Sequence, residues 1–239
     1  MKKKIILLVS IIAILFIIVG IILMNGSQSK KPEKQVIKKM DIDEEQVFKD
    51  EVIPKISSLD ANLYDKYPIE DIDKLDNVTK TKFLLDILYS PSKEITVKQV
   101  ENESKKYFTN YQIVKKDIKD GKVVAYKYEN NKYTKGTTVG NRCTLKTSIT
   151  SKKKVDSNYI VKSKYYYISG KKNSVEDLDA TIKIFKSLED CKQDKSEIFT
   201  TTSKTIGITE EEYKSNEDKF ATYTYEISKD YKIKSIKSE

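Results

Sequence analysis

The chain has 239 residues, with 45 Lys or Arg against 36 Asp or Glu and a formal net charge of +9. It contains no histidine, which excludes Ser-His-Asp and Cys-His nucleophile systems, histidine zinc sites and histidine proton shuttles. Arg142 is the only arginine, and charges of both signs are interspersed. That pattern is a solvated face and argues against nucleic-acid binding, whose phosphate clamps favour arginine.

In chain order, Lys2, Lys3 and Lys4 belong to a stub, residues 1–4, ahead of an unbroken apolar run from Ile5 to Met24. Twenty residues at about 1.5 Å each cover roughly 30 Å, so the run predicts a transmembrane helix seated in the lipid bilayer. A cleaved signal peptide has a shorter apolar region and a small-residue cleavage site, and Met24-Asn25-Gly26-Ser27 does not supply one. The expectation is a retained signal anchor. The lysines before the run put the N-terminus in the cytoplasm and everything after residue 25 outside. Residues 25–40, with Pro32, read as a juxtamembrane linker, and 41–239 as an extracellular domain.

Within that domain, Asp41 to Ile56 has roughly helical spacing, which Pro54 must end or bend. Residues 59–75 read as a loop. The clearest helix covers about 77–89, capped by Asp76 or Asn77 and stopped before Pro91, with Val78, Leu85, Leu88 and Tyr89 on its inner face, broadened by Phe83, Leu84 and Ile87. A second covers 97–108, where Thr96 and Gln99 form a capping box and Val97, Val100, Ser104, Tyr107 and Phe108 make the inward stripe.

From Tyr111 the period falls to two and β-branched and tyrosine residues take over. Strands are expected around 124–128, 145–149, 159–167, 181–186, 198–203, 220–227 and 231–236. Asp120-Gly121 and Ser228-Lys229-Asp230 are hairpin connections, and Thr209 with Glu212 repeats the capping-box pattern. Helices followed by strands predict an α+β fold, a short helical layer packed on a mostly antiparallel meander sheet over about 111–237. This order resembles NTF2-like and cystatin-like arrangements. The stretch Tyr67-Pro68-Ile69-Glu70-Asp71-Ile72, then Leu75-Asp76-Asn77-Val78-Thr79-Lys80 and the capped Thr96 helix, is similar to uncharacterised membrane-anchored surface proteins of low-GC Gram-positive bacteria. The resemblance implies a cell-surface location and carries over no site, substrate or partner.

Cys143 and Cys191 both lie in the exported part, where an oxidising environment favours a disulfide. No metal site or cofactor is expected, because two distant cysteines without histidine do not make a zinc site and no calcium loop, P-loop or dinucleotide fingerprint occurs. Four S-x-x-K matches, Ser27/Lys30, Ser90/Lys93, Ser151/Lys154 and Ser169/Lys172, are about the chance number for a chain this rich in both residues. The sixteen tyrosines are the unusual resource. Tyr165, Tyr166 and Tyr167 cannot all enter one core from one strand, so at least one is expected to be exposed or covered by a helix, and the three form a tentative binding surface.

The reading is a non-catalytic extracellular domain that binds or scaffolds in the cell envelope, with anionic envelope polymers or other membrane proteins as partners. The alternative is an accessory subunit of a membrane-spanning assembly such as a secretion or conjugation apparatus. A wall-directed hydrolase is the third class, since two carboxylates suffice for glycoside hydrolysis.

Overall fold

Asp41 opens the helical layer by accepting from the Glu44 amide while Glu44 reaches back to the Asp41 amide, a capping box for helix α1 (Ile42–Val47). The computed structural model describes residues 37–38, 40–91, 93–137, 143–172, 180–204 and 207–239. The predicted span over Ile5–Met24 lies outside the described residues, among which no helix is long and apolar enough to cross a membrane. Strand β1 (Ile37–Lys38) lies within the stretch read as linker and pairs with Val155 and Lys154.

Pro54 neither ends the first helix nor leaves 59–75 wholly a loop. The chain passes from α1 through a π-helical turn, Phe48–Val52, into α2 (Ile53–Asn62), in which Pro54 is the second residue. A proline ring collides with the carbonyl four residues back in a regular helix. The wider turn, in which the Ile53 amide donates to the Phe48 carbonyl, accommodates it.

Helix α3 (Asn77–Leu88) starts at Asp76, whose carboxylate accepts from the Thr79 amide. Of the expected inner face, Phe83, Leu84 and Leu85 are buried, joined by Lys80 and Thr81, whereas Val78 and Tyr89 are 37% and 43% exposed. A lysine lies on the buried stripe, and hydrophobic spacing alone assigns lysine outward. After β2 (Ile95–Thr96), helix α4 (Val97–Tyr107) carries the predicted Thr96/Gln99 capping box and buries Val100, Ser104 and Tyr107.

The strands form two antiparallel sheets, which corrects the single meander. The smaller has the order β2-β5-β4-β3, built from β3 (Ile118–Asp120), β4 (Val123–Glu129) and β5 (Lys132–Lys135). Gly121, at φ +59, makes the tight β3–β4 turn where a side chain would be strained. The larger sheet is organised by β7 (Asn158–Lys172), which pairs along one edge with β6 (Cys143–Val155). Its other edge is shared: residues 159–165 pair with β10 (Ala221–Ile227), and 167–172 with β8 (Ala180–Phe185). β11 (Ile233–Ser238) extends β10, and β9 (Glu197–Ser203) extends β8. Fifteen extended residues cover about 50 Å, room for two hairpins end to end, so the sheet forks.

Between β8 and β9 lies α5 (Leu188–Gln193), capped by Ser187 and too short for its periodicity to be read from sequence. Helix α6 (Glu210–Asn216) has the predicted Thr209/Glu212 capping box. The main core joins α2, α3 and α4 to both sheets, and a second apolar cluster of Tyr166, Ile168, Ile182, Ile184 and Phe220 packs on the opposite face of β7 and β8, with Tyr213 of α6.

Candidate functional site

The three tyrosines of β7 are core residues and not a binding surface: Tyr165, Tyr166 and Tyr167 are 6%, 8% and 2% exposed. Adjacent strand residues point to opposite faces, and here both faces are covered. Tyr165 stacks on Tyr223 with ring centroids 3.6 Å apart, and the Tyr167 and Tyr223 hydroxyls lie 3.1 Å apart. Tyr166, on the other face, stacks on Phe220 at 4.6 Å and meets Tyr213 of α6, which is the helical cover that strand alternation calls for. Burial pushes the Tyr166 and Tyr167 hydroxyls up to about 12.

Below this tyrosine layer sits Asp60, 5% exposed. Tyr225 and Tyr67 donate to its Oδ1 at 2.7 and 2.9 Å, and Thr147 to its Oδ2 at 2.8 Å. Burial pushes its carboxyl above the ordinary range despite these three bonds. The three hydroxyls come from β10, from β6 and from the turn after α2, so Asp60 ties the helical layer to the sheet.

The cysteines meet as expected, with S–S at 2.19 Å and Cα atoms 6.1 Å apart, joining the start of β6 to α5. The Tyr64 hydroxyl donates to the Cys143 carbonyl at 2.7 Å. Beside this link a cleft of about 350 Å³ is lined by charged groups including Lys192, next to Cys191. At its wall Asp86 of α3 accepts from Tyr126 at 2.7 Å and pairs with Lys135 at 3.1 Å and Lys82 at 3.0 Å. Burial alone would lower the Lys82 pKa, but Asp86 and Asp120 outweigh it and raise it. Asp86 is thereby part of a network that fastens α3 to β4 and β5.

Among the described residues there is no group of three or more Cys, Asp or Glu placed to hold a metal ion. Of the S-x-x-K pairs, Ser27/Lys30 lies outside the described residues, Ser90/Lys93 follows α3 in a turn, and the other two lie on β6 and β7. None of the three described pairs lies on a helix, where such a lysine would be brought onto its serine.

A groove of about 1080 Å³ lies between α4 and the residues that follow it. The sheet was expected to begin at Tyr111, yet 111–117 belong to neither sheet. They form a strap fastened to α3 by side chains. The Asp73 carboxylate accepts from the amides of Thr109 at 2.8 Å and Asn110 at 3.3 Å and from the Thr109 hydroxyl. Burial by itself would raise the Asp73 pKa; these bonds and Lys80 hold it below the ordinary range. Lys80, 2% exposed, donates to the carbonyls of Asp73 at 2.5 Å and Asn110 at 2.8 Å and lies 5.4 Å from the Phe108 ring centre. Farther on, Asn77 accepts from the Gln112 amide and Thr81 from the Val114 amide.

On the open side the groove is rimmed by Lys98 and Lys105 of α4 and Lys115 of the strap, all exposed and none in an ion pair among the described residues. Glu101 is the acid that shares this lining, and Phe108, Tyr111 and Ile113 supply apolar surface. Such a mixture of apolar floor and a few charged groups suits a ligand site. Sequence reasoning missed it because the strap has strand-like composition and the lysines are ordinary helix-surface residues. No protein-family model matches the chain, and no curated protein or solved structure proves similar to it.

Proposed function

We propose that the chain is a non-catalytic binding domain held at the outer face of the cell membrane by Ile5–Met24, and that it takes an anionic ligand of the cell envelope into the groove beside α4. The observation that carries this reading is the set of three ammonium groups, Lys98, Lys105 and Lys115, which rim the groove and have no carboxylate partner among the described residues. Unpaired lysines at a concave surface attract anions over about one Debye length, roughly 8 Å at physiological salt. The apolar floor then adds contact area that general attraction lacks. A hydrolase draws no comparable support, because Asp86 and Asp60 are both engaged in structural bonds.

The test uses the full chain in nanodiscs of zwitterionic lipid, so that the bilayer contributes no net charge. Isolated cell-envelope material should bind it with an affinity that falls as salt rises. Changing Lys98, Lys105 and Lys115 together to Glu should abolish that binding while leaving the unfolding temperature within a few degrees, since none of the three makes a stabilising pair. Binding indifferent to both salt and these substitutions would refute the reading.

The alternative, an accessory subunit of a membrane-spanning assembly such as a secretion or conjugation apparatus, draws on a different observation. The strap presents main-chain groups to the same groove, and main chain recognises main chain.

A further inference from the structure

We propose that the occupant of this groove is an extended, acidic segment of a partner polypeptide, which adds a strand to residues 111–115. The inference rests on the groove being a binding site, and it names the class of ligand.

Hydrogen-bond accounting along the strap gives the first argument. The Gln112 amide donates to Asn77 Oδ1 at 3.2 Å and the Val114 amide to Thr81 Oγ1 at 3.4 Å. Asn77 and Thr81 are four residues apart on α3, about 6 Å along the helix axis. Gln112 and Val114 are two residues apart, about 6.6 Å in an extended chain. The two spacings agree, so the strap runs extended along the helix with every second amide turned towards it. By the alternation of an extended backbone, the N–H and C=O groups of Tyr111, Ile113 and Lys115 turn the other way. These three residues line the groove, and their main-chain groups make no hydrogen bond among the described residues. Main-chain donors and acceptors are obligatory partners, and an unpaired row of them is a template for another strand.

Charge supplies the second argument. Against these three lysines the groove lining carries a single acid, Glu101, so an incoming strand gains from carboxylates on the residues that reach its rim. A phosphate- or uronate-bearing polymer would satisfy the lysines equally well. It lacks alternating amide donors and carbonyl acceptors at strand spacing, and only a polypeptide answers both features. The outer edge of β6 is covered at its end by β1, and its register breaks between Ile149 and Ser151, the kind of bulge that blunts an edge.

The experiment measures, with the full chain in zwitterionic nanodiscs, the binding of a labelled ten-residue peptide of alternating Glu and Val. The same peptide N-methylated at every residue and a poly(glycerol phosphate) chain serve as comparisons. The unmodified peptide should bind, N-methylation should weaken it by about tenfold or more, and the amides of Ile113 and Lys115 should become protected from hydrogen exchange in its presence. Because N-methylation alters only the ligand, the result does not depend on a variant folding. Equal binding of the methylated peptide, or no protection at Ile113 and Lys115, would overturn the strand-addition inference. Salt-sensitive binding of poly(glycerol phosphate) without binding of the peptide would also overturn it and leave the anionic-ligand reading standing; binding of neither probe would remove both.

Discussion

Asp60 and Lys80 are charged residues carried almost wholly out of water, and the protein settles them in opposite ways. Lys80 is set among carbonyl oxygens and an aromatic face, whereas Asp60 has three hydroxyl donors and no cation. Burial raises the Asp60 carboxyl above its ordinary value of 3.8, so the native state holds that proton more tightly than the unfolded chain does. Its contribution to stability is therefore full below the unfolded value and is lost as pH rises through the folded one. Asp60→Asn keeps the shape, still accepts from Tyr67 and Tyr225, and does not titrate. In urea unfolding series run from about pH 4 to pH 7, the wild type should lose stability relative to the variant as pH rises. Parallel curves would mean that the carboxyl titrates alike in both states.

At the scale of elements, the unusual piece is the strap, an extended segment held by side chains of α3 and by the Tyr133 hydroxyl of β5 on the Val114 carbonyl instead of by strand pairing. Asp73, Asn77, Lys80 and Thr81 recur at three- and four-residue spacing, which puts them on one side of α3 and the turn before it, in a row that the strap follows. Lys80 is the central fastening. Lys80→Met keeps much of the buried stem but leaves the Asp73 and Asn110 carbonyls without their donor. It should cost about 2–3 kcal/mol in chemical denaturation, the range for bonds to a charged group, and should speed amide exchange of residues 109–114 before the rest of the domain. Uniform acceleration across the chain would show that Lys80 supports the whole core and not the strap in particular.

For the molecule as a whole, the forked sheet raises the question of what keeps the β8–β9 arm aligned with the β10–β11 arm. β7 runs through both, and the Cys143–Cys191 link adds a second tie, from β6 across to the helix between β8 and β9. With the cysteines 48 positions apart, closing that loop reduces the freedom of the unfolded chain by about 4 kcal/mol on the chain-entropy model. The double variant Cys143→Ser, Cys191→Ser should lose stability on that order, read from denaturation midpoints with and without reductant. Alkylation mass spectrometry of protein from its native host should find both thiols blocked until reductant is added; free labelling of both would show that they stay unpaired there.

Local signals were legible in the sequence wherever cause and effect lie within one helical turn or two strand residues. The Asp76 cap, the Thr96/Gln99 and Thr209/Glu212 boxes and the alternation of Ala221, Tyr223, Tyr225 and Ile227 needed nothing beyond their neighbours. The cysteine pair followed from number and compartment, without geometry. Only the tertiary structure decided how many sheets form, because strand periodicity states that a strand has two faces and is silent on what covers them. Tyr166 is covered by Tyr213 and Phe220, residues about fifty positions later, so its burial has no local signature. The groove was hidden for the same reason. Lys98, Lys105 and Lys115 become a site only when the strap folds back beside α4, and the strap's own backbone is left unpaired on one edge because side chains of α3, distant in sequence, satisfy the other.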